Sequence, residues 1–560
     1  MAIRLIHTDS LCLTSFMGSE IPKYAILSHT WGSGEISFQE MMEISKNAGH
    51  LAAEKPGYTK IVDTCKKAKS IGLDYAWVDT CCIDKTSSSE LSEAINSMYQ
   101  WYQKAEICLA FLGDFEAGPD AREVALPECR WFTRGWCLQE LVAPKVVEFF
   151  GASWQPIGSR ADLTSIISKI TRIDEQVLVD NTLIDSIPVA RRMAWAAGRQ
   201  TTREEDLAYC LLGIFSVNMP MLYGEGPRAF LRLQEEIIRT SNDLSLFAFQ
   251  NALTGQDSPG SDNSCSQPYY CDLFATCPQD FAGCEDMVGT ATDIHWNDAF
   301  ALTNKGLHFQ RAKLQVNAQR GSYSMPLNCK SAGGRIARMH LRKVGPGLFA
   351  RFYDRLSRDM MGEVDLDRAE DYPTEIEEAY IITKVTSSAR VQLQGADRHA
   401  IHVKSRGHNL SRALQVLQRS ASSDRWDATR MQFLTQGNRL FAGYWKLFPS
   451  LVEGLDHQAP PGQCYLVCGA EYAADSPDPR PWVRLYSTEE WRALEAKYGI
   501  MTNPNDGNSP LNVGDTNHQI TLGKSQSGLM TITASIALQV HEGKPRFELE
   551  LDIKQEPKVM

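Results

Sequence analysis

No apolar stretch of this sequence approaches the roughly 20 residues a helix needs to cross a bilayer, so no membrane span is expected. The start MAIRLIHTDSLCLTSF lacks the apolar core and small-residue cleavage site of a secretory signal, and the end QEPKVM matches no lipidation signal, which points to a cytoplasmic protein. Basic stripes are scarce. The densest is Lys66-Lys67 with Lys69, inside a chain of 68 acidic and 57 basic residues and net charge −11, so a nucleic-acid partner gets no support. The 15 cysteines lack the close pairs of structural zinc sites: Cys265, Cys271, Cys277 and Cys284 are too widely spaced, and Cys464 with Cys468 has no matching histidine pair. No metal is therefore expected, and the thiols read as loop and core residues in a reducing compartment. No Gly-x-Gly-x-x-Gly follows any strand, which disfavours hydride transfer on a Rossmann fold. Gly32-Ser-Gly34 and Gly224-Glu-Gly226 read as turns rather than phosphate loops.

What is present is enough for several cores: 560 residues, 43% of them hydrophobic, exceed the roughly 250–300 residues at which one core stops growing. From Tyr24 to Phe150 short apolar runs alternate with amphipathic stretches, as in a parallel sheet with crossover helices. Four strands are predicted, at 24–29, 75–79, 107–112 and 145–150. Between the first two, Tyr58, Ile61, Val62, Cys65 and Ala68 recur at helical spacing and Gly72 fits a left-handed C-cap. Between the second and third, Leu91, Ile95, Met98, Tyr99 and Tyr102 do the same, opened by a Ser87/Glu90 capping box.

Residues 159–249 read as a helical extension, with helices near 162–170, 189–198, 204–213 and 227–241 that pack back onto the α/β unit. Residues 250–268 have the composition of a linker. The rest, 269–560, reads as a β-rich domain because 300–303, 306–310, 337–341 and 546–553 alternate apolar with polar residues. The polar stretch 503–517 is expected to be a loop.

In an open parallel sheet the ligand crevice lies beyond the carboxyl ends of the strands. The residues there are Ser28-His29-Thr30-Trp31-Gly32, Asp79-Thr80-Cys81-Cys82-Ile83-Asp84 and Gly113-Asp114. Taken singly, Trp31 can be a packing residue and Asp79 a helix cap. Their convergence favours a pocket. Trp131-Phe-Thr-Arg-Gly-Trp-Cys-Leu-Gln-Glu140 puts two tryptophans, Arg134 and Glu140 on one helical stretch before the fourth strand, with Trp136 and Glu140 one turn apart. The bland alternative for Glu140 is a solvated helix carboxylate. Cys82 with His29 as base would be a thiol nucleophile, but adjacent cysteines ending a buried strand are more often packing residues.

Tyr24-Ala-Ile-Leu-Ser-His-Thr-Trp-Gly, Tyr75-Ala-Trp-Val-Asp-Thr-Cys-Cys-Ile-Asp-Lys, Ser92-Glu-Ala-Ile-Asn-Ser-Met-Tyr and Trp131–Leu141, in this order and spacing, resemble the fungal heterokaryon-incompatibility (HET) domain. Arg192–Arg199, Glu205–Phe215 and Met221–Gly226 resemble the helical extension that follows it in relatives. The likeness covers the first 250 residues. It implies residues 1–158 as a HET domain of α/β, flavodoxin-like (TIR-like) fold, and an effector of non-self recognition that ends in regulated cell death. HET domains are similar to TIR domains, some of which hydrolyse NAD with a glutamate in a Trp-Cys-x-x-Glu-Leu setting. Trp136-Cys-Leu-Gln-Glu140-Leu fits that setting and makes Glu140 the candidate catalytic residue, with NAD as substrate and no cofactor required.

Cleaving the nicotinamide–ribose bond passes through an oxocarbenium-like state that a carboxylate stabilises. Trp31 or Trp136 would stack on a ring and Arg134 would lie near phosphates. Ser28, His29, Asp79 and Asp84 complete the candidate substrate-binding set. The expected partners are further copies of the chain, self-associating through the HET domain, and an unidentified activating protein. The alternative is a non-catalytic self-associating module that recruits the death machinery.

Overall fold

A computed structural model describes residues 2–46, 51–116, 122–249, 269–289, 299–318, 320–353, 374–396, 399–405, 425–435, 440–447, 464–471, 480–498, 515–525, 528–541 and 544–556. The expected linker 250–268 and most of the 503–517 loop lie outside these residues.

The predicted strands are present as β3 (Ala25–His29), β4 (Tyr75–Trp77), β5 (Ile107–Phe111) and β6 (Val147–Phe150), mutually parallel in the order β4-β3-β5-β6. Their near-continuous apolar composition suits strands covered on both faces, and Ala25, Ile26, Leu27, Leu109 and Ala110 are wholly buried. The sheet is nonetheless mixed. A hairpin of β1 (Ala2–His7) and β2 (Leu13–Met17) adds to β4 antiparallel at one edge, and β7 (Pro156–Ser159) adds to β6 antiparallel at the other, giving seven strands.

Helix α1 (Phe38–Lys46) precedes α2 (Pro56–Ser70), which is the helix expected from the Tyr58–Ala68 spacing and ends before Gly72 at φ +82°. The one-turn α3 (Asp79–Cys82) follows β4, and α4 (Ser88–Lys104) connects to β5. Only half of the expected capping box forms. The Ser87 hydroxyl accepts from Glu90 N at 3.3 Å, but the Glu90 carboxylate turns to Asp84 N (2.8 Å) and to both terminal nitrogens of Arg4 (2.8 and 3.3 Å). A guanidinium fork on the neighbouring strand outcompetes a single backbone N–H.

Next come α5 (Arg122–Ala125), α6 (Arg130–Thr133) and α7 (Cys137–Val142), then the extension with α8 (Thr164–Thr171), α9 (Glu175–Val179), α10 (Val189–Ala194), α11 (Asp206–Tyr209) and α12 (Arg228–Thr240). The helices fall where expected and mostly shorter. Leu233 and Ile237 of α12 join one continuous apolar core with the sheet. Gly224 and Gly226 form a turn, as expected: both have positive φ, and both N–H groups donate to Glu205 Oε1 at 2.7 and 3.2 Å.

The first residues of the expected β-rich region, 269–289, pack on the extension. Gln234 of α12 exchanges two hydrogen bonds with the Ala275 main chain (2.9 and 3.0 Å), and buried Arg351 holds the Phe249 carbonyl at 3.0 Å. Beyond lie strands at Gly306–Asn317, Ser322–Lys330, Ile336–Gly345, Leu348–Tyr353 and Thr374–Ile381, whose pairings close into a ring. Closure removes free sheet edges. Further strands, ending with Gly528–His541 and Lys544–Glu556, form separate sheets.

Candidate functional site

Beyond the carboxyl ends of β3 and β4 lies a cavity of ≈ 320 Å³ whose lining includes His29, Trp31, Asp79, Lys85, Arg134, Trp136 and Glu140. Of the eight candidates named from sequence, six therefore meet in one place. Ser28 and Asp84 are not among the lining residues.

Ser28 is wholly buried and acts from behind. Its Oγ accepts from Trp131 Nε1 at 2.7 Å and donates to Glu140 Oε2. Asp84 is turned to the approach to α4, where its Oδ1 accepts from Gln39 Nε2 (2.7 Å), Thr86 N (3.0 Å) and Thr86 Oγ1 (2.6 Å). An aspartate that accepts its own i+2 N–H is a turn former. Ser28 and Asp84, expected in the substrate-binding set, thus hydrogen-bond to residues around the cavity and do not line it.

Trp131–Glu140 is not one helix. It breaks at Arg134-Gly135-Trp136, where the extension is stitched in: Gln200 N donates to Thr133 O (2.6 Å) and Gly135 N to Gln200 O (2.9 Å). A Cβ on Gly135 would lie 2.6 Å from Thr201 Cγ2 and 3.2 Å from Cys210 Sγ, so only glycine permits this approach. The break leaves Trp136 at the head of α7, where it lines the cavity together with Asp206 of α11.

Glu140 is 7% exposed. Burial raises its carboxyl pKa to about 8, against the lowering effect of the Ser28 hydrogen bond, and the charge of Asp79 pushes the same way as burial. Glu140 therefore keeps its proton at neutral pH. It is not the solvated carboxylate that composition alone would suggest.

Asp79 is the opposite case. Burial alone would raise it, but the Lys85 ammonium and hydrogen bonds from His29 and Trp31 outweigh this and bring its pKa to about 2. His29 Nε2 lies 3.0 Å from Asp79 Oδ1, and Trp31 Nε1 donates to Oδ2 at 2.9 Å. The Lys60 ammonium, which has only donors, approaches His29 Nδ1 at 2.8 Å and Glu35 Oε1 at 2.6 Å. Nδ1 must then accept, which leaves Nε2–H to donate to Asp79.

Both imidazole nitrogens are thus engaged, and His29 has none left to activate a thiol. Cys81 and Cys82 are buried, and Cys82 Sγ accepts from Val78 N at 3.4 Å. They are packing residues.

Lys85, Lys60 and Glu35 were not singled out from sequence, although Lys85 ends the motif begun at Tyr75. One wall of the cavity was missed altogether: Thr202, Arg203, Asp206 and Tyr223 of the extension. Arg134 Nη2 donates to Thr202 Oγ1 (3.3 Å), Tyr223 OH to Asp206 Oδ1 (3.0 Å), and the Arg203 guanidinium stacks 4.3 Å from the Tyr223 ring centroid. The only sequence signal for this closeness was Gly135 itself.

The protein is α/β, with a cavity at the strand ends lined by aromatic, apolar and charged side chains. The sequence model of the family described as heterokaryon incompatibility protein (HET) matches residues 24–124, and the chain thus carries a HET domain. A second family, described only as a domain of unknown function, matches residues 228–301, from α12 to the start of the strand Phe300–Thr303. The vegetative incompatibility protein HET-E-1 of Podospora anserina is 45% identical over 227 residues, which cover 39% of this chain and 16% of that protein. No solved structure matches the chain.

Proposed function

We propose that this chain is an effector of heterokaryon incompatibility whose HET domain, in a cytoplasmic self-associated state, hydrolyses NAD and thereby drives regulated cell death. The observation that carries this reading is the pair of carboxylates facing one cavity, Glu140 holding its proton and Asp79 ionised. Carboxyls whose environments push their pKa values apart are the mark of divided acid–base roles. The order β4-β3-β5-β6 agrees with the first four positions of a flavodoxin-like sheet, which supports the TIR-like reading. The likeness to HET-E-1, an incompatibility protein, supports the biological role.

The bond between ribose C1′ and the pyridinium nitrogen breaks with its electron pair passing to the ring, so nicotinamide leaves neutral. Asp79 faces the positive charge left on the ribose. Water adds at C1′, and its proton goes to Glu140 in the fraction that is ionised, which grows as pH approaches about 8 and in which the raised pKa makes the carboxylate a stronger base. A cavity of ≈ 320 Å³ lies at the low end for ligand sites and suits the nicotinamide-ribose half. The adenylate end would extend past Arg134 and Arg203 toward the opening, where a loop from a second copy would complete the site.

One observation favours the non-catalytic alternative: Glu140 is buried, protonated and hydrogen-bonded as a structural residue would be. The test is NAD content with the purified full chain and in cells, for wild type and Glu140→Gln. Hydrolysis by the wild type alone supports the enzyme. Killing by both proteins with NAD intact would leave only the interaction module.

A further inference from the structure

Trp31 lines the cavity and is 52% exposed, high for a tryptophan. Its orientation is fixed by the bond from Nε1 to Asp79 Oδ2 at 2.9 Å. Its face is covered by the Lys85 ammonium, 3.7 Å from the ring centroid. The same ammonium is 4.0 Å from Asp79 Oδ2, beyond hydrogen-bond distance. Lys85 thus makes a cation–π contact with a fixed aromatic face, beside an ionised carboxylate that it does not hydrogen-bond. Burial pushes its pKa down, so its positive charge is itself poorly solvated there.

We infer that the Trp31 face and the Asp79 carboxylate form a seat for a planar organic cation, an N-alkylpyridinium such as oxidised nicotinamide, and that Lys85 is an internal stand-in the ligand displaces. A flat ring cation offers Trp31 a full stacked face together with its charge, where an ammonium offers charge alone. The lysine stem is flexible and leads toward solvent, its side chain 35% exposed, so displacement needs no backbone change. The neutral dihydropyridine of the reduced cofactor has no charge to exchange for that of Lys85. The seat therefore selects the oxidised form. This inference deepens the proposed reaction and rests on it for the identity of the natural ligand.

The test uses the full chain and two probes of nearly equal shape, cationic 1-methylnicotinamide and neutral nicotinamide, with binding measured by calorimetry. Lys85→Met keeps the stem and removes the competing charge. It is expected to bind the cation about tenfold tighter than wild type, between the exposed and the desolvated strengths of a cation–π contact, with no gain for nicotinamide. Lys85→Arg, which keeps a cation over Trp31, should bind like wild type, and adding Trp31→Ala to Lys85→Met should remove the gain. Equal gains for both probes, or no gain in a Lys85→Met protein whose near-ultraviolet dichroism is native, would overturn the inference. Cation binding as expected without any NAD hydrolysis would sink the enzymatic reading and leave the seat standing. NAD hydrolysis with no gain in Lys85→Met would do the reverse.

Discussion

The floor of the cavity around Glu140 and its rim around Asp79 bury the same functional group and reach opposite results. At the floor, Glu140 meets a serine hydroxyl, a thiol and a phenol, and burial outweighs their hydrogen bonds, so the proton stays. At the rim, Lys85 and two N–H donors surround Asp79, and the charge is held. The lesson is that position behind a strand end does not decide how a carboxyl titrates. What matters is which charges the neighbouring elements bring closest: Lys85, from the loop after α3, is the strongest influence lowering Asp79, while the strongest charge acting on Glu140 is that of Asp79 itself.

The contrast can be broken most forcefully at the floor. Trp131 is 1% exposed, packs edge-on against Phe132 and Phe149, and donates to Ser28. Trp131→Ala is expected to lower unfolding stability by about 3–5 kcal/mol, read from urea denaturation, and to abolish any activity through loss of the Ser28–Glu140 link.

A pH series sharpens the comparison. The native pKa of Glu140, about 8, lies above its ordinary value of 4.5, so the native state binds the extra proton. Its contribution is fully present below pH 4.5 and is lost as pH rises toward about 8. Glu140→Gln should therefore gain stability relative to wild type between pH 5 and 8, by roughly a few kcal/mol. Wild-type hydrolysis should rise with pH over the same window, because the ionised form accepts the proton from water. A rate that falls through pH 8 would instead make Glu140 a general acid.

Asp79 has the opposite sign: its native pKa of about 2 lies below the ordinary 3.8, so its contribution is present above pH 3.8 and lost as pH falls through 2. Asp79→Asn should flatten that acid limb in urea melts, an effect on the order of 2 kcal/mol. The smallest expected effect couples the two regions. Because the Asp79 charge helps raise Glu140, Asp79→Asn should move the Glu140 carboxyl titration to lower pH, seen by carbon NMR. An unmoved titration would mean the two groups do not sense each other.

Much of this was legible in the sequence, for physical reasons. Strands covered on both faces must be short apolar runs, so β3, β4, β5 and β6 could be read directly, and their ends located His29, Trp31 and Asp79. The hairpin of β1 and β2 was not read, because Ala-Ile-Arg-Leu-Ile-His lies next to the chain start and its partner β4 is nearly 70 residues away. The wall of Thr202, Arg203, Asp206 and Tyr223 was hidden for the same reason. Periodicity reports which face of a helix is apolar but not which distant loop will close over a site. Lys60 and Lys85 looked like ordinary surface lysines, since nothing local distinguishes a lysine held against His29 or one that lines a cavity from one that points to water.

The main-chain stitch between Thr133, Gly135 and Gln200 sets the smallest unit that can be cut out or transplanted with its pocket intact. A fragment ending at residue 158 would keep every strand of the sheet up to β6 and most of β7, and both Asp79 and Glu140, yet it would open the cavity on the side of Arg203 and Tyr223. Any swap between related proteins that moves the α/β unit without its helical neighbour would carry the chemistry and leave its container behind.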